Sequence, residues 1–477
     1  MKKISIFSRK KKIRMSEGKK PLIENNNNIQ DGHDCACHGW ENPLAQNSFN
    51  TAEEQSMQRQ QSMSLMELVQ HLGVSSESLY NLTEPNLGQE SVIDWSNPQT
   101  FKILHKVLQV INSVKQCLQL MDWVQHKYLS REVLFSSDQK LFCEWKDKAK
   151  EKLLQSVQKE IRESLDKILQ NETGIAASCI EEDYVKLYVD TIQCINAVPR
   201  EAQNLLPELH NEVQEISFQE FRTFVKRYSE EQYVDLKKRA ETDNPEMIHF
   251  LKTLKTCKEL RKYAQTTGTG VTPSLVKETV ETLENLEQST LTFLMEIITI
   301  IAENHFKDFF RSDSNLNNFL DSVYNHFPKR PYVMDEQKVV VDEAYKIIAR
   351  TYLEHLITNK KRTLKCRWTS NIGERIHEDA NHLHKSISLL APGVHEWHTM
   401  LLGIQEVLDC TSIDALKIIM GRLQQDYFKN SEDFKFLNKL LKWKGLSNGD
   451  VNEVLDALPG SESRPICRSC FSCLTCW

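Results

Sequence analysis

A chain of 477 residues with only 15 Gly and 13 Pro lacks the turn punctuation that hairpins, sandwiches and barrels need, which excludes an all-β protein. Its 40% hydrophobic and 26% charged residues exclude wholesale disorder. The net charge of -6 hides an asymmetry: residues 1–20 hold nine basic side chains and one acid, leaving 51 basic and 65 acidic groups on an acidic body of -14, which argues against general nucleic-acid binding.

The chain opens with a polybasic arm, residues 1–20, in which Lys2, Lys3, Arg9, Lys10, Lys11, Lys12 and Arg14 interleave with Ile4, Ile6, Phe7 and Ile13. Each such cation gains about 1 kcal/mol near an anionic leaflet, so the arm is a candidate lipid-binding segment. Ser5, Ser8 and Ser16 lie within it, and phosphorylation there would subtract charge and release it. The KKKIR run also fits a nuclear import signal, which makes a nuclear or cytoskeletal helical scaffold the rival reading, and an inert tail is a third. No apolar stretch or cleavage site follows the basic residues, so the expected location is cytoplasmic, peripheral at the inner face of the plasma membrane.

Residues 21–95 read as a flexible polar linker (NNNNIQDGHDCACHG, then QSMQRQQS) with one weak helix at 63–82 ended by Pro85. After Ser96-Asn97-Pro98, where a cap precedes proline in a first helical turn, residues 101–129 are expected as one helix. The clearest periodicity follows. Phe142, Trp145, Ala149, Leu153, Val157, Ile161, Leu165 and Ile168 recur at three and four residues with charges between them, the pattern of a long amphipathic helix. Further helices are expected at roughly 180–196, 199–228, 230–265, 273–310, 313–326, 334–366, 370–390, 394–409, 412–428, 431–444 and 447–457. The apolar run at 291–301 (LTFLMEIITII) contains Glu296 and is too short to cross a bilayer, so it reads as a buried core helix. Long helices joined by short turns bury their stripes against antiparallel neighbours. The expected fold is therefore all-α, an elongated rod of consecutively stacked antiparallel helical bundles. Beyond the arm and linker we expect an N-terminal long-helix segment (96–175), middle bundles (176–330), a C-terminal bundle (331–460) and a cysteine-rich tail (461–477).

No motif of catalysis emerges, and neither a cofactor nor a metal is expected. Thr267-Gly268-Thr269-Gly270 lacks the Gly-Lys-Ser/Thr ending of a phosphate loop and reads as a helix-to-helix turn. His377, Glu378, Asp379, His382 and His384 look metal-like, but their spacing does not match a zincin pair, and an ordinary polar helix face explains them. Glu181, Glu182 and Asp183 stand where a helix N-terminus favours acids. The basic cluster Lys360, Lys361, Arg362, Lys365 and Arg367 closes the helix expected at 334–366. Cations at a helix C-terminus are favoured by the dipole, and a partner or lipid patch is the functional alternative. In the tail, Cys467, Cys470, Cys473 and Cys476 fall every third residue. That spacing suits neither a four-cysteine zinc site nor an iron–sulfur run, and S-acylation beside Phe471, Leu474 and Trp477 is the candidate modification, against an inert tail.

Three stretches resemble the exocyst component 3 family of vesicle-tethering proteins: YVKLYVDTIQCINAVPREAQNLLPELHNEVQEISFQEFRTFVKRY at 184–228, HFPKRPYVMDEQKVVVDEAYKIIARTYLEHLI from His326, and LKWKGLSNGDVNEVLDALP near the end. The resemblance spans roughly 95–460. It implies a non-enzymatic helical rod that docks secretory vesicles at the plasma membrane and meets exocyst subunits, SNARE proteins and a Ral-type small GTPase. For its protrusion-forming branch it also implies tunnelling nanotubes and an N-terminal segment that binds phosphatidylinositol bisphosphate. The arm cations match that segment by composition and place, and the Lys360–Arg367 cluster lies where such relatives meet partners. The chain departs from full-length tethering subunits in replacing an N-terminal coiled coil with about sixty polar residues, so joining a complete exocyst is not implied.

Overall fold

Apolar residues recurring at three and four positions, with few glycines or prolines to interrupt them, give a body in which the described residues form sixteen α-helices, one short 3-10 turn and no strand. The computed structural model describes residues 64–73, 98–129, 136–174, 181–242, 245–267, 270–310, 316–327, 333–368, 371–429 and 431–459. The polybasic arm, most of the linker and the cysteine tail lie outside them. The all-α class is as expected.

The helices are α1 (Leu65–His71), α2 (Pro98–Val110), α3 (Val114–Leu129), α4 (Ser136–Gly174), α5 (Glu181–Leu205), α6 (His210–Ala240), α7 (Met247–Thr267) and α8 (Pro273–Phe309), then α9 (Leu316–His326), α10 (Met334–Thr358), α11 (Lys361–Arg367), α12 (Ile372–Leu390), α13 (His398–Asp409), α14 (Ile413–Tyr427), α15 (Ser431–Lys444) and α16 (Asn448–Asp456). α4 carries the expected stripe: Phe142, Trp145, Ala149, Leu153, Val157, Ile161 and Leu165 are buried, and Leu169 closes it where Ile168 is only partly covered. At 39 residues it is about 58 Å long.

Several boundaries differ from the sequence reading, among them the helix expected at 230–265, which is divided between α6, ending at Ala240, and α7, starting at Met247. The helix expected at 101–129 is two, because the Asn112 and Ser113 amides both donate to the Gln116 Oε1 while the Ser113 hydroxyl accepts from the Gln116 amide, capping a new N-terminus. Pro199 does not end a helix. It lies buried inside α5, whose packing against α3, α4, α6 and α7 offsets the one ladder bond that proline removes. The break comes at Pro207, the first residue of the 3-10 turn. No break occurs at residue 229, because Ser229 is buried and α6 runs on to Leu236 in the core. Finally, the helix expected at 334–366 stops at Thr358, since Asn359 turns extended (φ -85°, ψ 140°) and α11 starts after it.

Neighbouring helices alternate in direction. α4 and α6 run parallel, with Lys146–Glu208 and Lys150–Glu212 pairs and a Gln158–Glu220 hydrogen bond in constant register, and α5 returns between them. α6 and α8 are likewise parallel, joined by Glu215–Thr272 and Arg222–Glu278, with α7 antiparallel to both through Thr253–Gln232 and Arg261–Glu284. Further on, α12 and α13 form an antiparallel hairpin. α14 folds back on α13, and α10 runs parallel to α15.

The buried side chains fall into two cores, one drawn from residues 68–286 and the other from 236–458. Three helices belong to both. α6 contributes Phe218, Phe221 and Val225 to the first and Leu236 to the second; α7 contributes Cys257 and Leu260 to the first and Phe250 and Leu251 to the second; α8 contributes Leu283 and Leu286 to the first and Leu294 to Phe309 to the second. The bundles are thus stacked in succession on continuous helices. The run at 291–301 lies in the second core as expected, with Leu294, Ile297 and Ile298 buried. No helix among the described residues is long and apolar enough to cross a membrane.

Candidate functional site

Of the residues singled out in the sequence, the cluster at 360–367 falls in the described body. α11 is a seven-residue helix that starts at Lys360 in extended backbone (φ -66°, ψ 126°) and is pinned by the fully buried Leu364. It stands where the C-terminal ends of α8, α10, α13 and α15 converge, and unpaired carbonyls at those ends draw cations. The Arg367 guanidinium donates to the Phe310 carbonyl at 2.6 Å, capping α8, and Trp368 packs against the Phe310 ring. The Lys361 ammonium donates to the Lys444 carbonyl at 3.3 Å and lies 5.8 Å from the Trp443 ring centre. Trp443 donates its indole N–H to the Asn359 carbonyl at 2.7 Å, which fixes the break between α10 and α11. Lys444 in turn caps α13 through the Leu408 and Cys410 carbonyls at 3.0 and 2.6 Å.

The cluster therefore divides in two. Lys361 and Arg367 are structural caps, while Lys360, Arg362 and Lys365 are exposed and form no ion pair among the described residues. Burial holds the Lys361 ammonium below the usual lysine range, and the like charges of Lys365 and Lys444 push the same way. The sequence reading missed the contribution of α15. Lys435, Lys439 and Lys442 recur at four and three residues, opposite the buried Phe436, Leu437, Leu440 and Leu441; they too are exposed and form no ion pair among the described residues. That spacing is visible in the sequence; its junction with α11 through Trp443 and Lys444 is not.

The other motifs resolve into structure. Gly270, in the turn between α7 and α8, has φ +120°, and a Cβ there would lie 2.8 Å from the Gln214 Oε1, so the turn demands glycine. The metal-like residues of α12 are dispersed. The buried Asp379 carboxylate accepts from the Tyr352 hydroxyl at 2.8 Å and pairs with Arg375 at 3.2 Å; burial, the larger effect, raises its pKa against that pairing. His377 bonds Gln405, and His384 stacks on His398 at 4.0 Å. Asp379 and His384 thus leave the polar face expected for them and take part in helix packing. Among the described residues no group of three or more His, Cys, Asp or Glu is placed to hold a metal. The six described cysteines, Cys117, Cys143, Cys194, Cys257, Cys366 and Cys410, are free thiols.

An open cleft of about 940 Å³ lies between the 394–397 loop, α13 and α14. Within it Arg422 pairs with Glu406, and the Thr399 and Tyr427 hydroxyls are 2.5 Å apart. Trp397 packs against Tyr427 beneath Lys346.

The arm cations Lys2 to Arg14 and the cysteines Cys467, Cys470, Cys473 and Cys476 lie outside the described residues.

No protein-family model matches the chain, and no curated protein does. Among solved structures, the crystal structure of M-Sec matches with a TM-score of 0.55 at 14% sequence identity, covering 84% of this chain and 72% of that one. At that identity the likeness is one of fold: the described helices follow an arrangement that M-Sec shares.

Proposed function

We propose that the chain is a non-enzymatic helical-rod tether or adaptor in exocytosis and plasma-membrane remodelling. The polybasic arm holds the inner leaflet through phosphatidylinositol bisphosphate, and the helical body engages exocyst subunits, a Ral-type small GTPase or SNARE proteins. Vesicle docking and membrane protrusions such as tunnelling nanotubes are the processes it serves. The fold shared with M-Sec supports this reading. The observation that carries it is the continuity of α6, α7 and α8 through both cores, because attachment sites on different bundles are then held at a fixed separation. Two weak contacts at fixed separation reinforce one another when the span fits, and a part whose work is to hold distance needs no group of unusual reactivity.

The experiment is vesicle flotation and clustering with the full chain. Vesicles containing phosphatidylinositol bisphosphate are expected to float the protein. Replacing Lys2, Lys3, Arg9, Lys10, Lys11, Lys12 and Arg14 by Ala should reduce that binding at least tenfold, and unchanged binding removes the lipid half of the reading. Failure of the protein to link vesicles to one another, or to any membrane-bound partner in proximity labelling, removes the tether half.

A further inference from the structure

We infer that the exposed cations of α11 and α15 form a second membrane-contact face, built to lie on an anionic phospholipid bilayer. The inference rests on the tether reading only in giving that face a purpose. Its evidence is separate.

Six cations are involved: Lys360, Arg362 and Lys365 around α11, and Lys435, Lys439 and Lys442 along α15. In a body whose net charge is strongly negative, none of the six forms an ion pair among the described residues, although most cationic side chains along α4, α6 and α7 do. The two rows adjoin at the C-terminal end of α15. Lys361 bridges them, reaching the Lys444 carbonyl and the Trp443 ring from α11, and the charges of Lys365 and Lys444 both bear on it. Like charges left without a paired acid cost folding energy, and a negative surface outside the chain offsets that cost.

Three features favour a bilayer over an acidic protein. The face is spread along two helices, and the clefts described at the 394–397 loop, beside α8 and α9, and between α5, α6 and α7 are lined by other residues. Five of its six cations are lysines, compact charges suited to a diffuse field, where arginine's fork suits fixed bidentate pairs. It also has no apolar anchor. Among the described residues the exposed large hydrophobics are Tyr233, Val234, Ile300, Met334, Val339, Leu389 and Ile418, none of them on α11 or α15, and protein interfaces draw most of their affinity from such anchors. An anionic leaflet requires only charge, each lysine or arginine near its surface multiplying binding about fivefold.

The test uses the full chain in four forms: unchanged, arm-neutralised (the seven arm cations to Ala), face-neutralised (Lys360→Ala, Arg362→Ala, Lys365→Ala, Lys435→Ala, Lys439→Ala, Lys442→Ala) and both. Each is floated at low salt with vesicles of phosphatidylcholine alone or with about one third phosphatidylserine. We expect the arm-neutralised form to keep measurable binding to the phosphatidylserine vesicles, lost as salt rises, and the doubly neutralised form to bind at least tenfold less. If the six changes impair folding, the three α15 changes made as Lys→Gln on the arm-neutralised chain serve instead, with at least a threefold loss expected. The inference is overturned if the arm-neutralised chain does not bind these vesicles, if removing the face changes nothing, or if polyglutamate competes the face off the vesicles at charge-equivalent concentration, which would mark it as a site for an acidic protein. Loss of vesicle clustering with flotation intact would count against the tether reading and leave the face standing.

Discussion

His305 in α8 stands edge to face with Phe306 and lies 4.9 Å from Phe319 between ring centres, and its Nε2 is buried without a partner. Burial pushes its pKa down to about 4 against a weaker opposing pull from Asp308. The ring is therefore neutral in the folded protein at pH 5–6, where in the unfolded chain, with an ordinary value near 6.5, it takes up a proton. Its contribution to stability is complete above about pH 6.5, falls as pH drops toward 4 and is flat below that. His398, lowered by burial and by the stacked His384, adds to the same trend. Replacing His305 by Phe among its aromatic neighbours should narrow the difference in unfolding free energy from urea denaturation between pH 7 and pH 5 by about 1 kcal/mol, a figure discounted for the ring's partial exposure. An unchanged difference would mean that His305 is solvated.

At the scale of elements, the buried Glu220 shows how α4 and α6 are held in register. Its carboxylate accepts from Gln158 at 2.8 Å and from both Nε and Nη2 of Arg162 at 2.9 and 2.8 Å, while Arg162 itself is half exposed. Arg162→Ala leaves a buried carboxylate with one neutral donor and should cost about 2–3 kcal/mol in urea denaturation, less than for a fully buried pair. Adding Glu220→Gln should recover most of the loss, because the uncompensated charge is then gone. The α4 stripe is legible in the sequence because one face of a single helix sets its spacing. Glu220 is not, since its need for Arg162 arises only when two helices align 58 residues apart. The boundaries divide the same way. Those at Pro273, Ser412 and Ser447 follow local caps and prolines, while the break at Asn359 depends on Trp443, 84 residues away. Of the candidate site, the α11 charges and the α15 spacing are local and readable. Which cations are consumed as caps depends on where four helix ends meet, and no local pattern carries that.

On the scale of the whole described body, α8 is one of the three helices that join the two cores. Leu286 is the last α8 residue in the first core and Leu294 the first firmly in the second, so the helical turns between them span the junction of the bundles. Gln288 lies on the exposed side of those turns. A proline there removes the hydrogen bond that the Gln288 N–H donates to the Glu284 carbonyl and clashes with that carbonyl, at about 3 kcal/mol, without touching a core side chain. If the continuous helices transmit stability from one core to the other, Gln288→Pro should split a single cooperative thermal transition into two, or separate the midpoints of near-ultraviolet and far-ultraviolet signals. α6 and α7 still cross the junction, so each core stays folded at low temperature and far-ultraviolet ellipticity there falls only slightly. A single transition simply shifted to lower temperature would show that burial at the junction couples the cores and that helix continuity does not. Rigidity between the bundles would then come from side-chain packing, and fill-in substitutions at that junction, rather than helix breaks, would be the changes that alter it.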